Sequence, residues 1–319
     1  MVGMTLLYYD PCFLDHDTGE HPERAERLEH VVRQLQRSGL DKRCTQREWP
    51  PVSGERLARV HDRDYVDAVR DFAARGGGRI EADTVVSVQS HDVARRATGA
   101  VCDAVDQVIT GKERKALCLI RPPGHHALRA SAMGFCLFNH IAVGARLAIQ
   151  EHELDRVLIV DWDVHHGNGT QDAFWKDEGV GFLSIHRWPF YPGTGAADET
   201  GTGHGLGTIK NLPVEFGTPR KEYLKLFAQH LEAFAAKIKP QLILISAGFD
   251  SHREDPIGSL GLETEDFESL TETVMNVARA HAEGRIVSVL EGGYNPARLA
   301  GCVETHLKAM TNDETPEKQ

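Results

Sequence analysis

Three side chains in two distant segments have the types and spacing of a metal site. Asp163 and His165 are two residues apart, so in an extended segment their side chains point the same way. With Asp250 they would supply two carboxylates and one imidazole. Three protein ligands that leave a position open for water are typical of catalytic zinc. An isolated Asp-x-His can instead be a helix cap followed by a core histidine, so the surrounding residues must decide between a metal site and a structural role.

Two other segments carry groups that could move a proton or stabilise negative charge. His125 and His126 follow a Pro-Pro-Gly turn, which predicts a stiff loop, and Tyr294 follows two glycines. Beside a metal, two histidines can provide a general base and a second, electrostatic imidazole. A tyrosine hydroxyl can donate to the oxyanion that develops when a carbonyl is attacked. The combination predicts hydrolysis by an activated water.

The elements that must position these groups are predicted to be strands of a parallel sheet. Each is a short, almost continuously apolar run, as expected of a strand buried on both faces. The predicted strands are 5–9, 116–120, 157–161, 181–186, 242–247 and 286–290. The predicted helices between them are 22–37, 58–74, 91–109, 139–152, 220–238, 265–282 and 296–310. This alternation predicts an α/β fold, a three-layer α/β/α sandwich around a mostly parallel sheet.

The candidate residues all lie where predicted strands end. The histidine pair follows the strand at 116–120, and Asp163 follows the strand at 157–161. Asp250 follows the strand at 242–247, and Tyr294 follows the strand at 286–290. Because ligands bind at the carboxyl ends of the strands of an open parallel sheet, we expect these groups to meet at one edge. No linker or repeat divides the chain, so we predict one catalytic domain over residues 1–319, with a frayed tail at 311–319.

Composition restricts the classes of function. The net charge of −11, with no basic stripe, argues against a nucleic-acid-binding surface. No apolar run approaches the ~20 residues that a membrane span needs, and the start does not resemble a signal peptide. Six cysteines without a CxxC pair suit a reducing compartment. We therefore expect a cytoplasmic protein that binds neither nucleic acid nor membranes, with homo-oligomerisation left open.

Taken together, these motifs resemble the zinc-dependent histone deacetylase family. In chain order they are HPERAERL at 21–28, RPPGHHA at 121–127, DWDVHHGNGTQ at 161–171, PGTG at 192–195, GFDSHREDPIG at 248–258 and LEGGYN at 290–295. Trp162, Asn168 and Glu291 are more similar to the class II branch, which includes bacterial deacetylase-like and acetylpolyamine amidohydrolase proteins. The resemblance implies the arginase-deacetylase fold and removal of an acyl group, chiefly acetyl, from an amine.

The resemblance implies a role for each of the candidate residues. Asp163, His165 and Asp250 match the ligands of one zinc ion, and Tyr294 matches the tyrosine that stabilises the oxyanion. Iron or manganese could replace zinc, since ligand type alone does not decide between them.

The histidine pair also has expected partners by resemblance. His126 matches the general base and acid, and His125 the neighbouring imidazole that stays largely charged. His125 is expected to pair with Asp161, and His126 with Asn168, where class I relatives have aspartate. Because an amide carries no charge, we expect His126 to be more readily neutral than beside a carboxylate.

Substrate contacts follow from the same resemblance. Phe135 and Tyr191 match an aromatic pair that encloses the methylene chain of the substrate, and the Gly134 carbonyl matches the acceptor for the scissile N–H. Aromatic walls suit such a chain, because burying each CH₂ is worth ~0.8 kcal/mol. Asp83 is similar to an acidic residue at the rim that accepts from substrate amides, although a loop or cap role fits it equally. Ile257 stands where a polyamine-selective relative has glutamate.

The family also binds monovalent cations. By resemblance, Asp161, Ser184 and Ile185 would contribute to an inner potassium site, and Phe174 to a second one. Carbonyl ligands leave no pattern in a sequence, so only the resemblance supports these sites.

Individual residues argue against two other functions. A binuclear ureohydrolase like arginase needs a second carboxylate at the position of Gly167, and glycine removes that ligand. A catalytically silent scaffold protein typically lacks a ligand or the tyrosine, and both are present here. Acetyl-lysine in proteins or peptides is the favoured substrate, with an acetylated polyamine or another small amine as the alternative. The length of the acyl chain stays open.

Overall fold

The computed structural model describes residues 4–312, within which eight strands form one sheet. The strands of the chain are β1 Thr5–Tyr8, β2 Cys44–Gln46, β3 Gly78–Arg79, β4 Val85–Val86, β5 Lys115–Cys118, β6 Val157–Asp161, β7 Val180–Arg187, β8 Ile209–Val214, β9 Leu242–Ala247 and β10 Ile286–Leu290. The sheet order is β2-β1-β5-β10-β9-β6-β7-β8, and each neighbouring pair is parallel. β3 and β4 form a separate antiparallel hairpin.

Helices cover both faces of this sheet. They are α1 Glu26–Ser38, α2 Gly54–Leu57, α3 Arg63–Ala74, α4 Ser90–Thr110, α5 His140–Gln150, α6 Asn168–Phe174, α7 Arg220–Ile238, α8 Asp266–His281 and α9 Pro296–Thr311. One layer contains α7, α8, α9 and α1, which pack in that order, and the other contains α3, α4, α5 and α6. The two layers follow from right-handed crossovers that run in opposite directions along the sheet.

The architecture confirms the predicted three-layer α/β/α fold. Every residue of β6, β9 and β10 is buried, as their continuous apolar runs predicted. Sequence analysis missed both edge strands, β2 and β8, as well as the short helix α6. In β8, two half-buried positions interrupt the buried ones, and one of them is Pro213, which an edge strand tolerates because one side of it has no neighbour.

The predicted tail begins inside a helix. Thr311 is the last residue of α9, and residues 313–319 lie outside the described part of the chain. Between residues 4 and 312, no helix combines the length and apolar character needed to cross a membrane. All six cysteines are unpaired, and five of them are buried.

Candidate active site

The carboxyl ends of two paired strands carry the three predicted metal ligands. Asp163 and His165 follow β6, and Asp250 follows β9. His165 Nδ1 lies 3.0 Å from Asp163 Oδ1 and 3.0 Å from Asp250 Oδ2. The three ligand atoms lie within 4.8 Å of one another, and all three residues are buried. The fold thus brings together the side chains that the spacing selected.

The chemistry of this cluster fits a bound cation. Oδ2 of Asp250 is buried, and no described residue gives it a hydrogen bond of acceptable geometry. Burial and the neighbouring carboxylate of Asp163 raise the pKa of Asp250 to about 7. A metal ion would balance these two buried carboxylates, which otherwise repel each other. Carboxylate oxygen and imidazole nitrogen are donors that zinc accepts.

The backbone packs closely behind the cluster at Gly292. Its N–H donates to Asp163 Oδ2 at 2.8 Å. A Cβ at this position would lie 2.3 Å from Asp250 Oδ2 and 2.6 Å from Asp163 Oδ2. Any side chain here would push the two carboxylates out of place, so the first glycine after Glu291 is required by the geometry of the cluster.

His125 forms a buried ion pair beside the cluster. Its Nδ1 lies 3.0 Å from Asp161 Oδ2. Burial disfavours the charged ring, but Asp161 and Asp163 outweigh that effect and raise the pKa of His125 to about 10. The backbone of the loop is held as well, because Glu291 Oε2 accepts from the N–H groups of Gly124 and His125. The ion pair with Asp161 therefore favours the protonated form of His125.

The surroundings of His126, in contrast, favour the neutral imidazole. Its Nδ1 lies 2.7 Å from Asn168 Oδ1, so this nitrogen carries the hydrogen and Nε2 is left as an acceptor. Burial and the charges of His125 and His165 keep the pKa of His126 well below its usual range. Gly134 lies directly against the ring, where a Cβ would be 2.4 Å from His126 Cδ2. The pair thus contains one charged and one neutral imidazole.

A tunnel of about 240 Å³ ends at these groups. Its lining residues are Asp83, His126, Gly134, Phe135, His165, Phe190, Tyr191, Ile257 and Tyr294. The Tyr191 ring packs edge-on against His126, with ring centroids 5.3 Å apart. The Phe135 ring packs edge-on against Tyr294 at 5.6 Å. The five predicted substrate contacts, Asp83, Gly134, Phe135, Tyr191 and Ile257, all line this tunnel.

Tyr294 reaches the tunnel from the short segment between β10 and α9. Gly293, just before it, has φ of +123°, which glycine adopts readily and other residues do not. Asn295, just after it, caps α9 with its side chain. Burial and the charge of Asp250 raise the pKa of Tyr294 well above its usual range, so its hydroxyl keeps the hydrogen needed for donation.

A strained turn forms the opposite wall. Gly134 and Phe135 have φ of +55° and +70°, and the left-handed region is unfavourable for phenylalanine. Two side chains hold this turn: Asp83 Oδ1 accepts from Gly134 N at 3.1 Å, and Thr84 Oγ1 accepts from Phe135 N at 3.1 Å. Asp83 therefore lies at the tunnel and supports its wall, while its contact with substrate amides stays a prediction.

The residues assigned to potassium sites lie in two places. Asp161 and Ser184 are cross-strand neighbours on β6 and β7, and Ile185 follows on β7. Phe174 ends α6, with its ring under the guanidinium of Arg146 at 4.6 Å. The fold groups the first three and puts Phe174 on a separate element.

Sequence analysis missed several residues that shape the site. Phe190 stacks on His165 with ring centroids 5.3 Å apart, and its place beside Tyr191 was the available signal. Arg121 donates to both oxygens of Glu23, which ties the HPERAERL segment to the histidine loop. Although burial alone would raise the pKa of Glu23, Arg121 holds it well below its usual range.

Gly167 stands where a binuclear ureohydrolase would need a ligand for its second metal, and the structure has no room for a side chain there. A Cβ on Gly167 would lie 2.2 Å from Asp161 Oδ2. A carboxylate side chain at this position would therefore displace Asp161 from His125. Within residues 4–312, the one cluster with metal-ligand geometry is the Asp163, His165 and Asp250 group.

Fold and site together define a hydrolase of the histone deacetylase family. The sequence profile of the histone deacetylase domain matches residues 21–310, and the chain belongs to this family. It is an amidohydrolase that removes acyl groups from acylated amines, as the motifs predicted.

Curated relatives and a solved structure agree with this assignment. The chain is 37% identical to a histone deacetylase-like amidohydrolase of Pseudomonas aeruginosa over 95% of this chain and 84% of that protein. It is 38% identical to the human polyamine deacetylase HDAC10 over 99% of this chain, which spans 49% of that protein. The crystal structure of the HDA15 HD domain superimposes with a TM-score of 0.92 at 34% identity, covering 99% of this chain and 90% of that one.

Proposed function

We propose that the protein is a zinc-dependent deacetylase whose favoured substrate is acetyl-lysine in proteins or peptides. The observation that carries the proposal is the buried Asp163, His165 and Asp250 cluster at the end of an aromatic-walled tunnel. One protonated imidazole, one neutral imidazole and a tyrosine hydroxyl surround the cluster. These are the groups that amide hydrolysis requires.

Asp163, His165 and Asp250 would hold the zinc ion. When bound, zinc would polarise the substrate carbonyl and make a water molecule easier to deprotonate. The donor set also suits iron or manganese, so zinc is the proposal that metal analysis of the purified protein checks first.

The side chains around the cluster have complementary roles in this proposal. His126 takes a proton from the attacking water at Nε2, because Nδ1 is engaged with Asn168. It later gives that proton to the departing amine nitrogen. His125, held charged by Asp161, favours the negative charge that builds up on the substrate. Tyr294 donates its hydroxyl hydrogen to the carbonyl oxygen as that oxygen becomes negative.

The tunnel selects a linear acylated amine. Phe135 and Tyr191 would enclose the methylene chain, and the Gly134 carbonyl would accept the scissile N–H. Gly134 is held against His126, so this acceptor would lie close to the residue that protonates the amine nitrogen. An unbranched chain of CH₂ groups fits such walls at ~0.8 kcal/mol for each buried group.

A small acetylated amine, such as an acetylpolyamine, is the second candidate. It is favoured by the carboxylate of Asp83 at the tunnel, which would attract a second cationic nitrogen of the substrate. The name of the human relative, a polyamine deacetylase, points the same way. Ile257, an apolar residue at the tunnel, favours acetyl-lysine instead.

Three further features belong to the proposed function: a single domain, a potassium site and a reducing location. We propose that residues 1–319 act as one catalytic domain, since a single sheet collects strands from Thr5 to Leu290. Potassium is proposed at Asp161, Ser184 and Ile185, because the pairing of β6 and β7 brings the buried Asp161 carboxylate beside Ser184. The unpaired cysteines support a reducing, cytoplasmic location.

The test is a substrate panel with zinc-loaded protein. The kcat/KM values for an acetyl-lysine peptide, a longer acyl-lysine peptide, acetylputrescine and acetylspermidine would be compared. We expect the acetyl-lysine peptide to give the highest value, and Tyr294→Phe to lower kcat by about 10²–10³ with zinc retained. Preference for acetylspermidine would favour the second candidate. No hydrolysis of any substrate would favour a scaffold protein.

A further inference from the structure

The carboxylate of Asp255 binds three backbone N–H groups from two parts of the tunnel. Its Oδ1 accepts from Ile257 N and Gly258 N, each at 2.9 Å, and its Oδ2 accepts from Tyr294 N at 2.6 Å. Asp255 is only 8% exposed, so water competes little for these bonds. One side chain thus joins the loop that carries Ile257 to the segment that carries the candidate catalytic tyrosine.

The segment of Tyr294 needs such a support. The residue follows Gly292 and Gly293, and glycine leaves a chain with more conformational freedom than any other residue. The N–H of Tyr294 is fixed by Asp255, and the helix that follows begins only at Pro296. Arg27 holds the Gly293 carbonyl on one side, and Asn295 donates to Glu254 O on the other. The bond from Asp255 is therefore the one that fixes the backbone of Tyr294 itself.

The other end of the loop returns to a candidate metal ligand. Ser259 N donates to Asp250 O at 2.7 Å. Gly258 packs against the same carbonyl, where a Cβ would lie 2.4 Å from Asp250 O. Residues 250–259 therefore form a closed loop with Asp250 at its base. Through Asp255, this loop sets the distance between Asp250 and Tyr294.

We propose that Asp255 is a positioning residue that places the Tyr294 hydroxyl over the reacting carbonyl. The inference rests on the proposed function, in which that hydroxyl stabilises the oxyanion. Such a donor works only when it lies 2.7–3.1 Å from the position of the oxyanion, and a shift of about 1 Å can cost about 10²-fold in rate. Asp255 itself does not line the tunnel and acts through the tyrosine.

The first variant is Asp255→Asn, which keeps the size of the side chain. Its amide NH₂ would face an N–H group on one side, so either Tyr294 or the loop would lose its acceptor. We expect kcat to fall by about 10- to 100-fold, while KM and zinc content stay close to wild type. Asp10→Asn is the matched control, because Asp10 also accepts a backbone N–H, from Cys12, and does not line the tunnel.

A second variant separates the two halves of the interaction. In Asp255→Ser, the hydroxyl can still accept from the N–H groups of the turn but is too short to reach Tyr294. We expect this variant to remain folded, with a melting temperature near that of wild type, and to lose kcat as Asp255→Asn does. Full activity of a folded Asp255→Ser protein would overturn the proposal.

The decisive measurement combines these changes with Tyr294→Phe. If Asp255 acts through the hydroxyl, Asp255→Asn should cost no more than about twofold once that hydroxyl is absent. Losses that multiply in the double variant would show an independent structural role and refute the inference, while a large loss in Tyr294→Phe alone keeps the proposed function. Unchanged kcat in Tyr294→Phe would refute both.

Hydrogen exchange supplies a readout that does not depend on activity. Peptides that contain Ile257, Gly258 and Tyr294 should exchange faster in Asp255→Asn than in wild type, and the Asp10→Asn control should change only the peptide around Cys12. Wild-type exchange at Tyr294 in the Asp255→Asn protein would mean that another group holds this segment, against the inference.

Discussion

At the scale of single residues, the site places like charges together where water cannot separate them. Asp163 and Asp250 converge on one imidazole nitrogen, and both carboxylates are buried. Bringing two buried carboxylates together is costly, so a bound cation would stabilise this arrangement. Tight cation binding and high stability of the metal-free protein are therefore expected to oppose each other at this site.

Asp250→Asn tests that balance. The variant removes one of two repelling charges, so the metal-free protein should be as stable as wild type or more stable. Metal affinity should fall by more than the 10- to 100-fold typical of residues that only orient a ligand. Chelator competition measures the affinity, and thermal melts with and without zinc measure the stability. Unchanged affinity would remove Asp250 from the ligand set; Asp10→Asn is the control.

Asn168 is the hydrogen-bond partner of His126 Nδ1, and it carries no charge. In Asn168→Asp, a carboxylate would face Nδ1, which stabilises the imidazolium and raises the pKa of His126. Since the base must be neutral, the acidic limb of the kcat/KM profile should move to higher pH. The alkaline limb should stay in place. An acidic limb that does not move, or that moves to lower pH, would show that another group determines the pKa of this limb.

At the scale of elements, the sequence predicted the buried parts of the sheet best. β6, β9 and β10 were found with their ends correct, because buried parallel strands are continuous apolar runs. β2 and β8 lie at the edges, where half-buried positions interrupt that pattern. Candidate ligands were predictable because they directly follow the central strands. Asp255 was not, since its bond to Tyr294 joins positions 39 residues apart.

The end of β7 supports one wall of the tunnel in a way that spacing could not reveal. Arg187, its last residue, lies over the Phe190 ring at 4.1 Å and under Phe216 at 4.5 Å. Its Nη1 also donates to Gly258 O at 2.9 Å. One guanidinium thus connects the aromatic wall to the loop that carries Ile257.

Arg187→Gln should therefore widen or loosen the tunnel without touching the reacting groups. Losing one charged hydrogen bond and a stacked cation, at about 1–2 kcal/mol, should raise KM for an acetyl-lysine peptide by about 5- to 30-fold. The value of kcat should change little. Arg220→Gln, which breaks an ion pair at the start of α7, is the control with no expected change. A loss confined to kcat would assign Arg187 to another role.

At the scale of the whole molecule, the layers around the sheet contain neutral, buried histidines far from the metal ligands in sequence. His61 donates from Nδ1 to Leu128 O and accepts at Nε2 from Asn139 N, an arrangement that requires the neutral ring. His140 begins α5, and its Nε2 lies 3.0 Å from Pro122 O. Burial lowers the pKa of each from 6.5 to about 4.

These histidines lower the stability of the fold in acid. Between pH 6.5 and 4 they bind protons in the unfolded chain but stay neutral in the folded chain, so their contribution to the free energy of unfolding falls as pH falls. The raised pKa of Asp250 acts in the opposite direction in metal-free protein, and the His61→Gln variant separates the two effects. Each histidine contributes up to about 1.4 kcal/mol per pH unit in this window and nothing above it. Urea unfolding of metal-free protein at pH 7, 6 and 5 measures the slope without metal release.

His61→Gln isolates one of these contributions. A glutamine amide can donate to Leu128 O and accept from Asn139 N as His61 does, but it does not titrate. The variant should therefore lose less stability than wild type between pH 7 and pH 5, by about the contribution of one histidine. His204→Gln is the control, because His204 lies on the surface and is exposed. Equal slopes for wild type and His61→Gln would mean that His61 is protonated in the folded protein, and that another group causes the loss of stability in acid.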